Sequence, residues 1–281
     1  IFLGNYDRAG SGQPIILLHG FPFNRSMWRE QIDFLSARGY RCVAPDLRGL
    51  GDMSDKLQFV ADSEGGETER QAEACRTIST MEDMARDVAA LMDELKIDNA
   101  IICGLSMGCY VAFEFIHLFP KRVRAVILCG PRAQGPDETE KINREAQALR
   151  VLAEGMEFAV ASISTKLLAR RTVDEKSDVV RRVGEMVLST DPLGAAAAQR
   201  GMAARRDYSD DLAKIDVPTL IVAGREDGVR TPEDAEFIDE RIPNSQLIVI
   251  DDAGHLMNME QPQRFNRAML KFLHSVSEAR P

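Results

Sequence analysis

Short apolar runs alternate along the chain with longer segments whose apolar positions recur every three or four residues. The short runs predict buried strands, at Ile15–His19, Arg41–Pro45, Ala100–Cys103, Arg124–Leu128, Thr219–Ala223 and Gln246–Ile250. The longer segments predict helices, at Met27–Arg38, Met81–Leu95, Cys109–Phe119, Pro232–Arg241 and Gln261–Val276. Strands that alternate with helices are typical of an α/β protein with a mostly parallel sheet covered on both faces.

The alternation is interrupted in the middle of the chain. From about Glu138 to Tyr208 the helical period continues without a convincing strand. This pattern predicts a helical cap at residues 132–211, inserted into a core domain formed by residues 1–131 and 212–281. A second interruption, Asp55–Thr77, is polar and rich in Glu. It predicts an exposed loop, and a lid over the site is the alternative.

Composition narrows the range of partners. The chain has 281 residues, 44% of them hydrophobic, which is enough for one sizeable core. Its formal net charge of −9 disfavours nucleic acid and anionic membranes as partners. The apolar runs are too short to cross a bilayer. The small-molecule partner that we expect instead is predicted by the motifs described below, and the sequence makes no prediction of oligomeric state.

Cysteine and histidine spacing argues against a metal site. The five cysteines include no CxxC pair, and the four histidines show no metal-ligand spacing. Cys42, Cys103 and Cys129 fall in or beside apolar strands, as expected of reduced core thiols in a cytoplasmic protein. We expect neither a metal nor an organic cofactor. Because the chain begins at Ile1, without Met or a leader, export stays open.

The strongest local motif is Gly-Leu-Ser-Met-Gly at residues 104–108, between a predicted strand and a predicted helix. A G-x-S-x-G sequence in that context predicts a nucleophile elbow, in which a tight turn exposes the serine at the top of the sheet. Ser106 is therefore the candidate nucleophile. Its hydroxyl needs a base within hydrogen-bond reach, because a neutral serine is a weak nucleophile.

His255 is the candidate base, because it follows the last predicted strand and so lies at the carboxyl edge of the sheet. His19 precedes Ser106, whereas the order expected along the chain is serine, then acid, then histidine. His117 lies inside a predicted helix and His274 lies near the C-terminus, so both are interpreted as structural or solvent-facing. Asp227, just after the strand Thr219–Ala223, is the candidate acid that orients the imidazole. Its neighbour Glu226 is the alternative.

An oxyanion hole completes the expected site. One donor is the backbone N–H of Met107, directly after the nucleophile, and the second is expected in the loop His19-Gly20-Phe21-Pro22. Phe21 is the best-placed donor, since Pro22 has no N–H.

Taken together, these motifs resemble the α/β-hydrolase superfamily, and most closely bacterial carboxylesterases related to 3-oxoadipate enol-lactonases. The matching blocks are Leu18–Pro22, Pro45–Gly51, Gly104–Gly108 and Ala253–His255. The resemblance implies the α/β-hydrolase fold with a helical cap between strands six and seven. It also implies that the segment from Phe23 to Trp28 lines the acyl pocket. Phe23, Trp28 and Leu256 are the predicted substrate-binding residues, and their apolar character favours small uncharged acyl or aryl esters.

The sequence thus predicts a serine carboxylesterase that works through an acyl-enzyme. The alternatives are an enol-lactone hydrolase of aromatic degradation and a slow-turnover, ligand-binding member of the fold. Arg132, which follows the strand leading into the cap, has two interpretations. It either reaches a substrate carboxylate or pairs with cap acids such as Asp137 and Glu138, and the second interpretation is favoured.

Overall fold

A computed structural model of the protein describes residues 5–53 and 78–278. The predicted loop Asp55–Thr77, which includes Cys75, lies outside the described residues. The alternative that this loop is a lid therefore stays a prediction. In the described part Cys42, Cys103, Cys109 and Cys129 are free and buried.

Seven strands in the described part form one sheet in the order β1-β3-β2-β4-β5-β6-β7. Their bounds are β1 Tyr6–Ala9, β2 Pro14–Leu18, β3 Arg41–Pro45, β4 Ala100–Leu105, β5 Val123–Cys129, β6 Thr219–Gly224 and β7 Ser245–Ile250. The edge strand β1 runs antiparallel to β3, and the other neighbouring strands are parallel. Because β3 and β4 lie on opposite sides of β2, the order reverses there, and a crevice is expected at the carboxyl ends of β2 and β4.

The apolar strands bury both faces of the sheet. Along β2, Ile16 and Leu18 belong to one core cluster, whereas Ile15 and Leu17 belong to the other. Successive side chains of a strand point to opposite faces, so a continuous apolar run supplies two cores at once.

Helices cover both faces. On one face lie α2 (Met81–Glu94), α3 (Met107–Leu118) and the helix Pro232–Asp239. On the other lie α1 (Arg29–Ser36) and the C-terminal helix Pro262–Glu278. This arrangement confirms the α/β-hydrolase fold expected from the sequence.

Between β5 and β6 the chain forms five α-helices, which we call the cap helices, and then a 3-10 helix at Ser209–Lys214. The cap helices are α4 (Glu138–Glu154), α5 (Glu157–Lys166), α6 (Arg170–Glu175), α7 (Ser177–Leu188) and α8 (Pro192–Ala203). The strands on either side, β5 and β6, correspond to the predicted strands Arg124–Leu128 and Thr219–Ala223. They are the fifth and sixth strands of this sheet, where the resemblance implies the sixth and seventh. The domain division at 131/132 and 211/212 stays a prediction.

Two local details differ from the sequence prediction. Strand β1 was not predicted, since only a partly buried Tyr-Asp-Arg-Ala edge marks it. The predicted helix Met27–Arg38 is a 3-10 turn at Arg25–Trp28 followed by α1. Within the described residues, no helix is both long enough and apolar enough to span a membrane.

Candidate active site

Ser106 lies in the turn between β4 and α3, with φ of 53° and ψ of −111°. A positive φ is strained for any residue with a side chain and clusters at functional sites. The turn is held on both sides by close backbone contacts that only glycine allows. A Cβ at Gly104 would lie 2.3 Å from the carbonyl oxygen of Gly108, and one at Gly108 would lie 2.3 Å from that of Leu18.

His255 and Asp227 form a buried pair after β7 and β6. The imidazole Nδ1 lies 2.7 Å from Asp227 Oδ2, and the two residues are 2% and 5% exposed. The other carboxylate oxygen, Oδ1, accepts the backbone N–H groups of Val229 and Arg230, each at 2.8 Å. Asp227 is thus fixed from the backbone side and presents its free oxygen to the imidazole. The alternative acid, Glu226, is exposed and accepts from the backbone N–H of Arg170 instead.

The other histidines have different surroundings. His19 is fully buried, and its Nε2 accepts the backbone N–H of Leu47 at 2.9 Å. Burial lowers the pKa of His19, although the charge of Asp46 opposes the shift. His19 therefore joins the loops after β2 and β3 as a neutral residue. His117 and His274 are exposed on helices.

The two predicted oxyanion donors lie beside Ser106. Met107 is the first residue of α3, so its N–H has no acceptor within the helix. The loop after β2 passes close by, since a Cβ at Gly20 would lie 3.5 Å from Cβ of Ser106. Phe21, the next residue, lines the same cavity as Ser106. The two predicted donors thus lie at the ends of adjacent strands, β2 and β4.

A cavity of about 700 Å³ lies between the sheet edge and the cap helices. Ser106 and His255 both line it, together with Phe21, Tyr110 and residues of α4 and α5. The structure therefore brings the predicted nucleophile, the predicted base and the predicted oxyanion loop to one cavity.

The predicted substrate-binding residues lie elsewhere. Phe23, Trp28 and Leu256 are all 0% exposed and pack in one core cluster, and none of them lines the cavity. The 3-10 turn at Arg25–Trp28 explains part of this, because it turns Trp28 inward against Phe265. These three residues therefore belong to the core and not to the wall of the cavity, contrary to the prediction.

The cavity wall is instead rich in charge. Among the described residues that line it, five side chains are cationic and two are carboxylates. The cations are Arg132, Arg144, Arg150, Lys166 and Arg230, and the carboxylates are Asp137 and Glu140. An excess of cations around a cavity favours an anionic group on the bound molecule.

Most of these cations already have partners. Glu140 accepts from Arg144 at 2.8 Å and from Arg205 at 3.0 Å. Burial alone would raise the pKa of Glu140, but the two guanidinium groups lower it to about 2. Arg230 donates to the hydroxyl of Tyr110 at 2.8 Å. Arg150 pairs with Glu154.

Arg132 differs from the other arginines of the cavity. It forms no hydrogen bond or ion pair with any residue that the structure describes, and its Nε is buried without a partner. Both expected partners bind elsewhere. Asp137 caps α4 by accepting from the N–H of Glu140, and Glu138 pairs with Lys141. The favoured interpretation of Arg132, pairing with these cap acids, is therefore wrong.

Gly130 is a site residue that sequence reasoning missed. Its φ is 55°, and a Cβ there would lie 3.1 Å from Nδ1 of His255. The imidazole packs so closely against the end of β5 that a side chain there would push the ring aside, and the positive φ disfavours one as well. A glycine just after a buried strand, at the edge that carries the other site residues, is the signal that could have identified it.

The family model described as the alpha/beta hydrolase fold matches residues 13–262. The chain belongs to this family. Among solved structures, a thermophilic esterase from Thermogutta terrifontis, solved with malate bound, shares 37% identity with a TM-score of 0.86. That match covers 97% of this chain and 93% of the other.

Other α/β-hydrolases are similar over nearly the whole chain. The enol-lactonase from Burkholderia xenovorans is 25% identical with a TM-score of 0.81, and the match covers 96% of each chain. In sequence, 3-oxoadipate enol-lactonase 1 of Acinetobacter baylyi is 29% identical over 93% of this chain and 89% of its own length. The neighbours of this α/β-hydrolase thus include esterases and enol-lactonases.

Proposed function

We propose that this α/β-hydrolase cleaves carboxylic esters through an acyl-enzyme formed on Ser106. One observation carries the proposal. The strained Ser106 opens onto the same cavity as His255, whose Nδ1 is 2.7 Å from the buried carboxylate of Asp227. A hydroxyl, an imidazole and a carboxylate in this order are the groups that serine hydrolases use.

The reaction follows from the roles of these groups. Ser106 Oγ attacks the ester carbonyl carbon while His255 Nε2 takes the hydroxyl proton, and Asp227 stabilises the imidazolium that forms. The tetrahedral intermediate collapses, the carbon–oxygen bond to the leaving group breaks, and His255 gives its proton to the departing alcohol. Water then repeats these steps on the acyl-enzyme and releases the acid.

The backbone N–H groups of Phe21 and Met107 are the proposed oxyanion donors. Their contribution grows as charge develops on the carbonyl oxygen, because a hydrogen bond to an anion is stronger than one to a neutral oxygen. Each such donor typically contributes about 2.7–4 kcal/mol to the transition state.

Replacing the nucleophile tests the proposal. We expect Ser106→Ala to lower kcat on p-nitrophenyl acetate by about three orders of magnitude or more, and to abolish fluorophosphonate labelling. Ser275→Ala, which removes a hydroxyl from the exposed side of the C-terminal helix, is the matched control and is expected to retain both. Full turnover in Ser106→Ala would reject the proposal. Labelling of the wild-type chain without turnover would favour the ligand-binding alternative.

The cavity wall favours a second candidate, hydrolysis of esters or lactones that carry an anionic group. The prediction of uncharged substrates depended on Phe23, Trp28 and Leu256, which do not line the cavity. Arg132 lines it with no partner among the described residues. The Nε–H of this partly buried arginine is itself buried without an acceptor, which is costly, and a substrate carboxylate would satisfy it. A name shared by two relatives, enol-lactonase, agrees with this candidate.

Removing the charge of Arg132 separates the two candidates. A charged hydrogen bond contributes about 1.5–3 kcal/mol. We therefore expect Arg132→Gln to raise KM for a carboxylate-bearing ester or lactone by roughly 10- to 100-fold. KM for neutral p-nitrophenyl acetate should barely change. The control is Arg181→Gln, which changes an exposed arginine of α7 paired with Glu185. Equal effects on both substrates would leave neutral ester hydrolysis as the function.

A further inference from the structure

Glu260 is a fully buried carboxylate with no part in the reaction described above. It ends the short helix Met257–Glu260, directly after the loop that carries His255. Its Oε1 accepts the backbone N–H of Gly254 at 2.9 Å and that of Leu256 at 3.2 Å. These are the two amides on either side of the candidate base.

The second oxygen of the same carboxylate binds the cap. Oε2 of Glu260 accepts the backbone N–H of Ala169 at 2.7 Å, in the segment between α5 and α6. A single side chain therefore joins the catalytic-histidine loop to the cap. Burial raises the pKa of Glu260, and the hydrogen bonds from these backbone N–H groups oppose that rise.

The backbone of the two segments is also in direct contact. The N–H of His255 donates to the carbonyl oxygen of Leu167 at 2.8 Å. A Cβ at Gly254 would lie 2.7 Å from that oxygen and 2.7 Å from the nitrogen of Ala169. Residues 167–169 thus form one wall of the pocket in which the loop of His255 is held.

We infer that Glu260 is a positioning residue that fixes His255 by tying its loop to cap residues Leu167–Ala169. The position of the base is then coupled to the seating of the cap. The inference depends on the proposed function, because it assigns His255 a catalytic role. Small shifts matter in such a site, since a misplacement of roughly 1 Å can lower the rate by about 100-fold.

Two substitutions of Glu260 distinguish positioning from packing. Glu260→Gln keeps the volume but exchanges one acceptor oxygen for an N–H₂ group facing N–H donors. Glu260→Asp keeps both acceptor oxygens and leaves a small void. On p-nitrophenyl acetate we expect Glu260→Gln to lower kcat by about 10- to 100-fold with KM nearly unchanged. Glu260→Asp should retain more kcat than Glu260→Gln. If the side chain only filled space, the order of the two variants would be reversed.

Glu30→Gln is the matched control. Glu30 accepts from Arg182 at 3.1 Å and so also joins the core to the cap, but it lies away from the catalytic cavity. The same chemical change at this second link should leave kcat and KM as in the wild type. A fall in kcat equal to that of Glu260→Gln would show that any loosened cap lowers activity, and would overturn the inference.

Amide hydrogen exchange tests, without a substrate, whether Glu260 links the His255 loop to the cap. We expect Glu260→Gln to speed exchange in peptides that contain residues 167–170 and 253–257, and to leave the sheet unchanged. Unchanged exchange in these peptides, or unchanged kcat despite faster exchange, would overturn the inference. If Glu260→Gln does not fold, the same two criteria apply to Glu260→Asp, whose shorter side chain should change exchange and kcat in the same directions but by less. Ser106→Ala separates the two proposals, because it tests the hydrolase while leaving exchange at this tie as in the wild type.

Discussion

The sheet edge and the inner wall of the cap face the same cavity, but different interactions hold them. At the sheet edge, backbone meets backbone at distances that exclude a side chain, as at Gly104 and Gly108. On the cap wall, long side chains are joined through charge, with Glu140 between Arg144 and Arg205. The first arrangement leaves its atoms almost no freedom, whereas the second can be rebuilt by exchanging side chains.

We interpret this difference as a division of roles, in which the sheet edge holds the reacting groups and the cap wall selects the substrate. The groups that react must be held within a fraction of an ångström, which backbone contacts and strained turns achieve. The groups that select a substrate need only present suitable charge and shape. We therefore expect substitutions at the sheet edge to act on kcat or on folding, and substitutions on the cap wall to act on KM and on local stability.

The largest effect is expected at the sheet edge, for Asp227→Asn. The amide oxygen can still accept from the N–H groups of Val229 and Arg230, which turns the amide N–H₂ toward Nδ1 of His255. The imidazole then carries its proton on Nε2 and cannot accept one from Ser106. Steady-state assays should show kcat lower by roughly four orders of magnitude.

Glu226→Gln is the control for this substitution. It makes a similar change in the adjacent residue, whose exposed side chain faces Arg170 rather than the imidazole. We expect kcat within about threefold of the wild type. Should Glu226→Gln prove the more damaging of the two, the acid has been assigned to the wrong residue.

A smaller effect, on stability, is expected for Gly104→Ala. The added Cβ would lie 2.3 Å from the carbonyl oxygen of Gly108, and backbone cannot move away as a flexible side chain can. Overpacking of this kind costs about 1–3 kcal/mol of folding free energy. We therefore expect Tm, measured by thermal denaturation, to fall by several degrees.

Gly184→Ala controls for the change of residue type. Gly184 lies within α7, and a Cβ there would have its nearest neighbour at 3.8 Å. Because alanine favours a helix by about 1 kcal/mol over glycine, Tm should stay level or rise. A fall equal to that of Gly104→Ala would remove the case for a special backbone contact at the elbow.

The same division explains what the sequence could predict. The six apolar runs identified six strands because buried parallel strands need continuous apolar sequence. The elbow around Ser106 was readable because the turn needs glycines at fixed spacing. Strand β1 was missed because one neighbour and partial burial leave only a weak pattern.

The cavity wall could not be predicted in this way. Its residues come from several cap helices, and helical periodicity does not fix how those helices pack. Phe23 and Trp28 follow the predicted oxyanion loop in sequence, yet both turn into the core. Arg132 shows the same difficulty, because acids near it in sequence have other partners in space. In both cases, proximity along the chain was a poor guide to which residues are neighbours in space.

The smallest expected effect is on the cap wall, for Glu140→Gln, and it depends on pH. Arg205 and Arg144 outweigh burial and hold the pKa of Glu140 at about 2. A carboxyl whose pKa is lower in the folded chain stabilises the fold above its unfolded pKa, and this stabilisation is lost as pH falls toward the folded value. The difference in Tm between wild type and Glu140→Gln should therefore be largest near neutral pH and shrink between about pH 4.5 and pH 2. Glu138→Gln, which changes an exposed carboxyl on the same helix, should show little difference at any pH. A Glu140→Gln difference that stays constant across this range would mean that the ion pairs on the cap wall add nothing to the fold beyond packing, and the contrast with the sheet edge would then have to be drawn from shape alone.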